Sequence, residues 1–198
     1  MVDEGWTVDE RGMPRITKLL PPALLACLAL TVPASAAAAP CANDALIPNA
    51  ANLASVKKAT LCLLNNERTS RGLARLSANG QLGKVATSYS ANMVRHEFFD
   101  HVSPTGSTLN TRVRGATSYL RSSVRSWALG ENLAWGSGVR ATPKQIHRSW
   151  MNSPAHRHNI LDRRFRHVGI GIATGAPADV GSQPAATYTT NFGVRVLR

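Results

Sequence analysis

All six histidines of the 198-residue chain lie beyond position 95. Imidazole is the side chain that changes charge or ligates metal near neutral pH, so this clustering is where chemistry is first sought. His101 ends the run Phe98-Phe99-Asp100-His101 and precedes the turn-forming Ser103-Pro104-Thr105-Gly106. Loops on a rigid scaffold are where functional groups tend to sit. Glu131 lies in Gly130-Glu131-Asn132-Leu133, bracketed by apolar residues; a carboxylate there is expected to be partly buried and to need a partner. His156 sits one turn into a segment opened by Ser153-Pro154. No two of these three positions can meet on one helix, so a His101/Glu131/His156 cluster has to be made by the fold. Each also has a plain structural reading, as a residue hydrogen-bonded within a local turn or cap. His158 should point away from His156 on a helix. His96 and His147 fall in helical segments and are expected at the surface; His167 precedes a strand and is expected half-buried. Neither Gly-x-Ser-x-Gly nor His-Glu-x-x-His occurs, so the sequence supplies no standard nucleophile or zinc-protease motif.

The elements that must position these residues follow from periodicity and punctuation. Asn52 can cap a first helix running to about Arg71, ended by Gly72, with Val56, Ala59, Leu63 and Asn66 on one stripe and Leu61 and Leu64 widening it. A second helix from about Asn79 to Phe98 carries Leu82, Val85, Ala86, Tyr89 and Met93 at helical spacing. Residues 100–126 read as irregular, with room for a short helix over Thr108–Arg114, and Trp127–Leu133 as containing a strand. Thr142-Pro143 and Ser153-Pro154 both place proline at a first helical position, opening helices through Trp150 and Leu161. From His167 to Ala173 the period changes to two: Val168, Ile170 and Ile172 alternate with Gly169 and Gly171. A second β-rich run, Tyr188–Val196, follows a Gly/Pro/Ala-rich loop over 175–184, so the two form a hairpin. Helices first and strands last indicate α+β layers rather than alternating βαβ units.

The N-terminus reads as an export signal. Met13, the cations Arg15 and Lys18, an apolar run Leu19–Val32 and the small residues Ala34-Ser35-Ala36 give the three regions of a secretory signal peptide. The run is short for a bilayer and broken by Pro21, Pro22 and Pro33. A retained membrane anchor, or lipidation at Cys27 in Leu24-Leu25-Ala26-Cys27, are the alternatives. The expected division is 1–40 extension and signal, 41–55 N-terminal arm, and 56–198 globular domain, exported and monomeric, with no transmembrane span after cleavage. Cleavage removes Cys27 and leaves Cys41 and Cys62, an even count that in an exported chain predicts one disulfide. From position 41 the chain holds 20 Lys+Arg and 7 Asp+Glu, because Arg11, Arg15, Lys18, Asp3, Glu4, Asp9 and Glu10 lie upstream. The balance of +13 attracts polyanions such as cell-wall polymers or anionic headgroups. The cations are scattered in sequence and not interleaved with aromatics, so a nucleic-acid platform is not expected.

Five ordered segments carry a family resemblance. Phe98–Gly106, Gly130-Glu131-Asn132-Leu133-Ala134, Trp150–Leu161, Val168-Gly169-Ile170-Gly171-Ile172-Ala173 and Tyr188-Thr189-Thr190-Asn191-Phe192-Gly193 resemble the successive signatures of bacterial CAP-domain proteins, of the cysteine-rich secretory / pathogenesis-related superfamily. The resemblance runs from about Leu61 to the C-terminus. It implies a three-layer α–β–α sandwich with a central antiparallel sheet, and a cleft faced by His101, Glu131 and His156. It also implies that a divalent metal, often zinc, can occupy the cleft; two neutral imidazoles, a carboxylate and a water would suit tetrahedral zinc. Where eukaryotic relatives place a second glutamate, three residues after the helix tryptophan, this chain has Ser153, which weakens a two-carboxylate acid/base mechanism. Three functions remain open: an envelope protein binding a lipid, cell-wall component or other ligand; a metal-dependent hydrolase with Glu131 as general base or ligand; and a polyanion-binding protein.

Overall fold

The structure, a computed structural model, describes residues 40–198. The signal segment, Cys27 and the proposed cleavage site lie outside those residues. Helix α1 (Leu53–Thr69) begins directly after Asn52. The Asn52 side chain does not cap it; it donates to the Ile47 carbonyl and accepts from the Asn49 amide, tying down the arm instead. Strand β1 is only Ser77–Ala78. Helix α2 (Gly80–Arg95) is capped by Asn79, whose side chain accepts from Leu82 N at 3.0 Å. All five of its expected apolar positions are buried. It stops at Arg95 rather than Phe98 because Glu97 takes a positive φ of 50°, outside the helical region.

Helix α3 (Leu109–Ala116) opens with a capping box between Thr108 and Thr111. Strand β2 (Val124–Ser137) is twice the length read from sequence. Helices α4 (Pro143–Asn152) and α5 (Pro154–Leu161) start at the two predicted prolines. Strands β3 (His167–Thr174) and β4 (Ala185–Leu197) form the hairpin. The sheet order is β1-β3-β4-β2. It is antiparallel except for the short β1, which runs parallel to β3.

Two helical layers cover the sheet. On one face Val56 and Leu64 of α1, Ile146 and Trp150 of α4 and Ile160 of α5 pack with Val168, Ile172, Tyr188 and Phe192. On the other, α2 and α3 contribute Leu82, Val85, Val113, Tyr89 and Met93. The β3 alternation explains how close the second layer comes. A Cβ on Gly169 would stand 2.1 Å from the Leu82 carbonyl carbon, and one on Gly171 2.0 Å from that of Ala86. The branched residues of β3 therefore face α1, α4 and α5, and the glycines let the α2 backbone rest on the sheet. Ser90 Oγ donates to Thr189 Oγ1 at 2.9 Å across the same contact.

The predicted stripe of α1 is rotated by one position. Thr60, Leu64, Asn65 and Arg68 are buried with Val56 and Ala59, while Leu63 and Asn66 are only half-buried. Arg68 is fully enclosed, and its guanidinium donates to the carbonyls of Ala74, Ile160, Asp162 and Phe165 at 2.8, 2.7, 3.0 and 3.3 Å. The Cys41–Cys62 disulfide is formed and ties the arm to α1. Residues 53–55, assigned to the arm from sequence, belong to the helix.

Candidate functional site

Glu131 is 8% exposed on β2. Its neighbours two residues either way, Leu129 and Leu133, pack with the α2/α3 layer, so its carboxylate projects on that side of the sheet. Both oxygens are engaged. Oε1 accepts from His101 Nδ1 at 2.9 Å, and Oε2 accepts from Arg112 Nη2 at 2.7 Å. A carboxylate leaves water at a cost of several kcal/mol unless paired, and this one has a hydrogen-bond donor on each oxygen, one of them the Arg112 guanidinium.

The loop carrying His101 is fixed from two directions. Tyr89 of α2 donates its hydroxyl to the Asp100 carbonyl at 2.7 Å. Arg112 of α3 donates Nη1 to the carbonyls of His101 (3.1 Å) and Ser107 (2.8 Å). Arg112 also lies over the Tyr89 ring, 3.4 Å from its centroid, a cation–π contact. Burial pushes the Tyr89 phenol up to about 12, so it remains a donor throughout the neutral range. Nδ1 of His101 faces the carboxylate and carries the proton, which leaves Nε2 for an outside partner. The hydrogen bond to Glu131 holds the His101 pKa above its ordinary value, against partial desolvation.

Helix α5, which carries His156, approaches β2 from the opposite helical layer. Asn132, next to Glu131, donates its side-chain amide to the His156 carbonyl at 3.0 Å. Asn159 donates to the Glu131 carbonyl at 3.2 Å and to Asn132 Oδ1 at 2.9 Å. These bonds fasten α5 to the outer edge of β2, and Trp150 Nε1 on the Leu133 carbonyl at 2.9 Å fastens α4, so polar groups that would leave the edge strand open are used internally. Burial, and then the charge of His101, lower the His156 pKa.

Of the three residues picked from sequence, His101 and Glu131 are in direct contact, and His156 is tied to the same stretch of β2 through its backbone carbonyl, which accepts from Asn132 beside Glu131. Arg112 was missed, although its side chain makes more hydrogen bonds in the site than the side chain of any of the three. Ser153, standing where relatives carry a second glutamate, is the N-cap of α5 and makes no side-chain cap bond. Among the described residues no group of three or more His, Cys, Asp or Glu is arranged to hold a metal ion. A cavity of about 730 Å³ lies between α2 and α3 and shares Tyr89 and Arg112 with the site.

The other histidines fall elsewhere. His96 is the exposed C-cap of α2, and His158 is exposed on the face of α5 away from the site. His167 opens β3, half-buried, 2.8 Å from the Tyr119 hydroxyl. His147 is not at the surface as expected. Its side chain is 13% exposed, 3.8 Å from Glu67, because α4 lays that face against α1.

The model of the cysteine-rich secretory protein family, CAP, matches residues 61–191. The chain belongs to the CAP family. It is similar to the uncharacterized protein YkwD of Bacillus subtilis strain 168, 36% identical over 121 residues, 61% of this chain and 43% of that protein. It also resembles the uncharacterized membrane protein YlbC of the same organism, 30% identical over 119 residues, 59% of this chain and 31% of that one. The chain therefore spans less than half the length of these curated relatives. Among solved structures, the extracellular SCP-domain protein of Bacillus anthracis str. Ames superposes with a TM-score of 0.51 at 26% identity, over 70% of this chain and 42% of that one. An outer surface protein of Borrelia burgdorferi gives 0.57 at 20% identity, over 71% and 92%. The CAP sandwich is the fold of the described residues. No helix among them is long and apolar enough to cross a membrane.

Proposed function

We propose that this CAP domain is an exported binding module whose cleft, framed by His101, Glu131 and His156 and braced by Arg112, holds a component of the cell envelope. The observation that supports binding over hydrolysis is the state of Glu131. A general base has to reach water or substrate, whereas Glu131 is buried, with its two oxygens turned to His101 and Arg112. The carboxylate acts from behind His101, fixing the tautomer so that Nε2 faces an incoming ligand. Export is supported by the signal-like N-terminus and by relatives described as extracellular or outer-surface proteins.

A metal-assisted form of the same cleft rests on one detail. A carboxylate hydrogen-bonded to the far nitrogen of a histidine is the usual outer partner of a metal-ligating imidazole. His101 through Nε2, and His156, would hold a zinc ion with solvent completing its shell; zinc would supply Lewis-acid character there. That is one protein ligand fewer than catalytic zinc sites usually have.

Binding of solubilised envelope fragments by the full chain, compared with His101→Ala and His156→Ala, tests the first reading; a loss of binding in both variants, measured well below each variant's own melting temperature, is expected. Turnover of peptidoglycan, peptide or ester substrates that vanished in Glu131→Gln would replace binding with hydrolysis. Melting with EDTA and with zinc tests the metal. A ligand at a hundredfold excess over its dissociation constant stabilises by about 2.7 kcal/mol. A zinc-dependent shift lost in His156→Ala supports the two-imidazole site, and no shift in the wild type leaves a metal-free cleft.

A further inference from the structure

Helix α5 has two working faces. Asn159 faces β2, where its amide donates to the Glu131 carbonyl and to Asn132 Oδ1. Pro154, Arg157, His158 and Leu161, at helical spacing on the opposite side, line a separate concavity of about 680 Å³ completed by Asp162, Arg163 and Arg164. Arg157, Arg163 and Arg164, close together in sequence, share its lining.

That turn is built rather than loose. Beneath it the buried Arg68 holds the carbonyls of Ile160, Asp162 and Phe165, and Phe165 is 2% exposed and stacks on Phe192 at 5.6 Å. Above it, Asp162 Oδ1 accepts the Arg164 amide at 2.8 Å, and the Arg164 guanidinium grips both oxygens of Asp162, with Nη2–Oδ2 at 2.6 Å. The one carboxylate of the concavity is therefore spent on Arg164. Arg157 uses Nη1 on the Met151 carbonyl at 3.0 Å, and the rest of its donors are unclaimed. The Arg163 side chain has no hydrogen bond or ion pair among the described residues.

We propose that this concavity is a phosphate-binding site, in which Arg157 and Arg163 take the oxygens of a phosphate mono- or diester and Arg164, held by Asp162, sets the far wall. Guanidinium forks match tetrahedral oxyanions with paired N–H donors, and two such forks line one concavity here, on a surface held from within by Arg68. His158, exposed on the same wall, offers a ring N–H donor. The site stands apart from the His101/Glu131/His156 cleft and does not depend on its reading. Its phosphate comes either from a soluble polymer or from an anionic lipid headgroup, which share this chemistry.

The test compares the full chain with R157Q/R163Q and with R121Q/R125Q, a control pair that is also exposed, removes the same charge and does not line the concavity. Soluble polyphosphate is one probe; vesicles of phosphatidylglycerol and phosphatidylcholine, against phosphatidylcholine alone, are the other. R157Q/R163Q should weaken binding at least tenfold with unchanged melting temperature, and R121Q/R125Q less than threefold. Selective loss against polyphosphate assigns the site to a polymer, and selective loss confined to the anionic vesicles assigns it to headgroups. Equal losses in the two pairs would reduce the effect to diffuse charge and overturn the site, as would no saturable binding of either probe by the wild type.

Discussion

His101 and His156 are pushed in opposite directions by one carboxylate and by their own burial, and this gives the site a signature in pH. The folded-state pKa of His101 lies above its ordinary value of about 6.5. Its charged contact with Glu131 is therefore fully present below that pH and is lost as pH rises through the folded pKa. That of His156 is depressed, so the folded state resists its protonation and loses stability as pH falls below about 6.5. His101→Ala should flatten the alkaline limb of a stability–pH curve and His156→Ala the acid limb, read by denaturant midpoints between pH 5 and 8. In Glu131→Gln the His101 titration, followed by NMR, should fall back toward its ordinary value. Arg112 carries the largest energetic stake. Removing one member of a buried pair strands the other, so Arg112→Ala should cost about 3 kcal/mol, measured by urea unfolding; an unchanged midpoint would show that Glu131 does not need it. Arg112→Lys keeps the charge but not the fork that spans Glu131, His101 and Ser107, and should recover only part of the loss. Arg112 was legible only faintly: it has no acidic residue three or four positions away on its own helix, which marks a cation whose partner comes from elsewhere in the fold.

At the scale of elements, the sequence was most readable where a residue type has a single geometric use. Pro143 and Pro154 marked the starts of α4 and α5, Asn79 the approximate start of α2, and the Leu82-to-Met93 spacing its buried face. It was least readable where tertiary contact decides. The stripe of α1 turned by one residue because Arg68, a cation that composition alone would place outside, is drawn in by four carbonyls. The two-residue β1 exists only because β3 is there to pair with it. The glycines of β3 show both sides: alternation was visible, but not that α2 would rest on the bare side. Gly171→Ala should force the α2 backbone off the sheet and cost about 3 kcal/mol, with Gly169→Ala similar; thermal unfolding of both variants checks this. A value near zero in either would mean that the two layers can slide.

For the molecule as a whole, the layered fold and the disulfide followed from order and count, whereas the site did not, because its members come from a loop, an edge strand and two helices. The Cys41–Cys62 bridge closes a loop with a sequence separation of 21, worth about 3 kcal/mol in the chain-entropy view. Serine at both positions should lower the melting temperature by about 10 °C, and reductant should do the same to the wild type. Arg68 has a consequence in time rather than in stability. Three of its four carbonyl acceptors lie 92 to 97 residues further along the chain, so its guanidinium keeps its water until α1 and the turn after α5 have met. Long loops of this kind close late, which puts the Arg68 corner outside the folding nucleus. A variant such as Arg68→Met should then leave the refolding rate nearly untouched and speed unfolding. The corner that carries the cationic turn would be the last part of the domain to form and the first to let go.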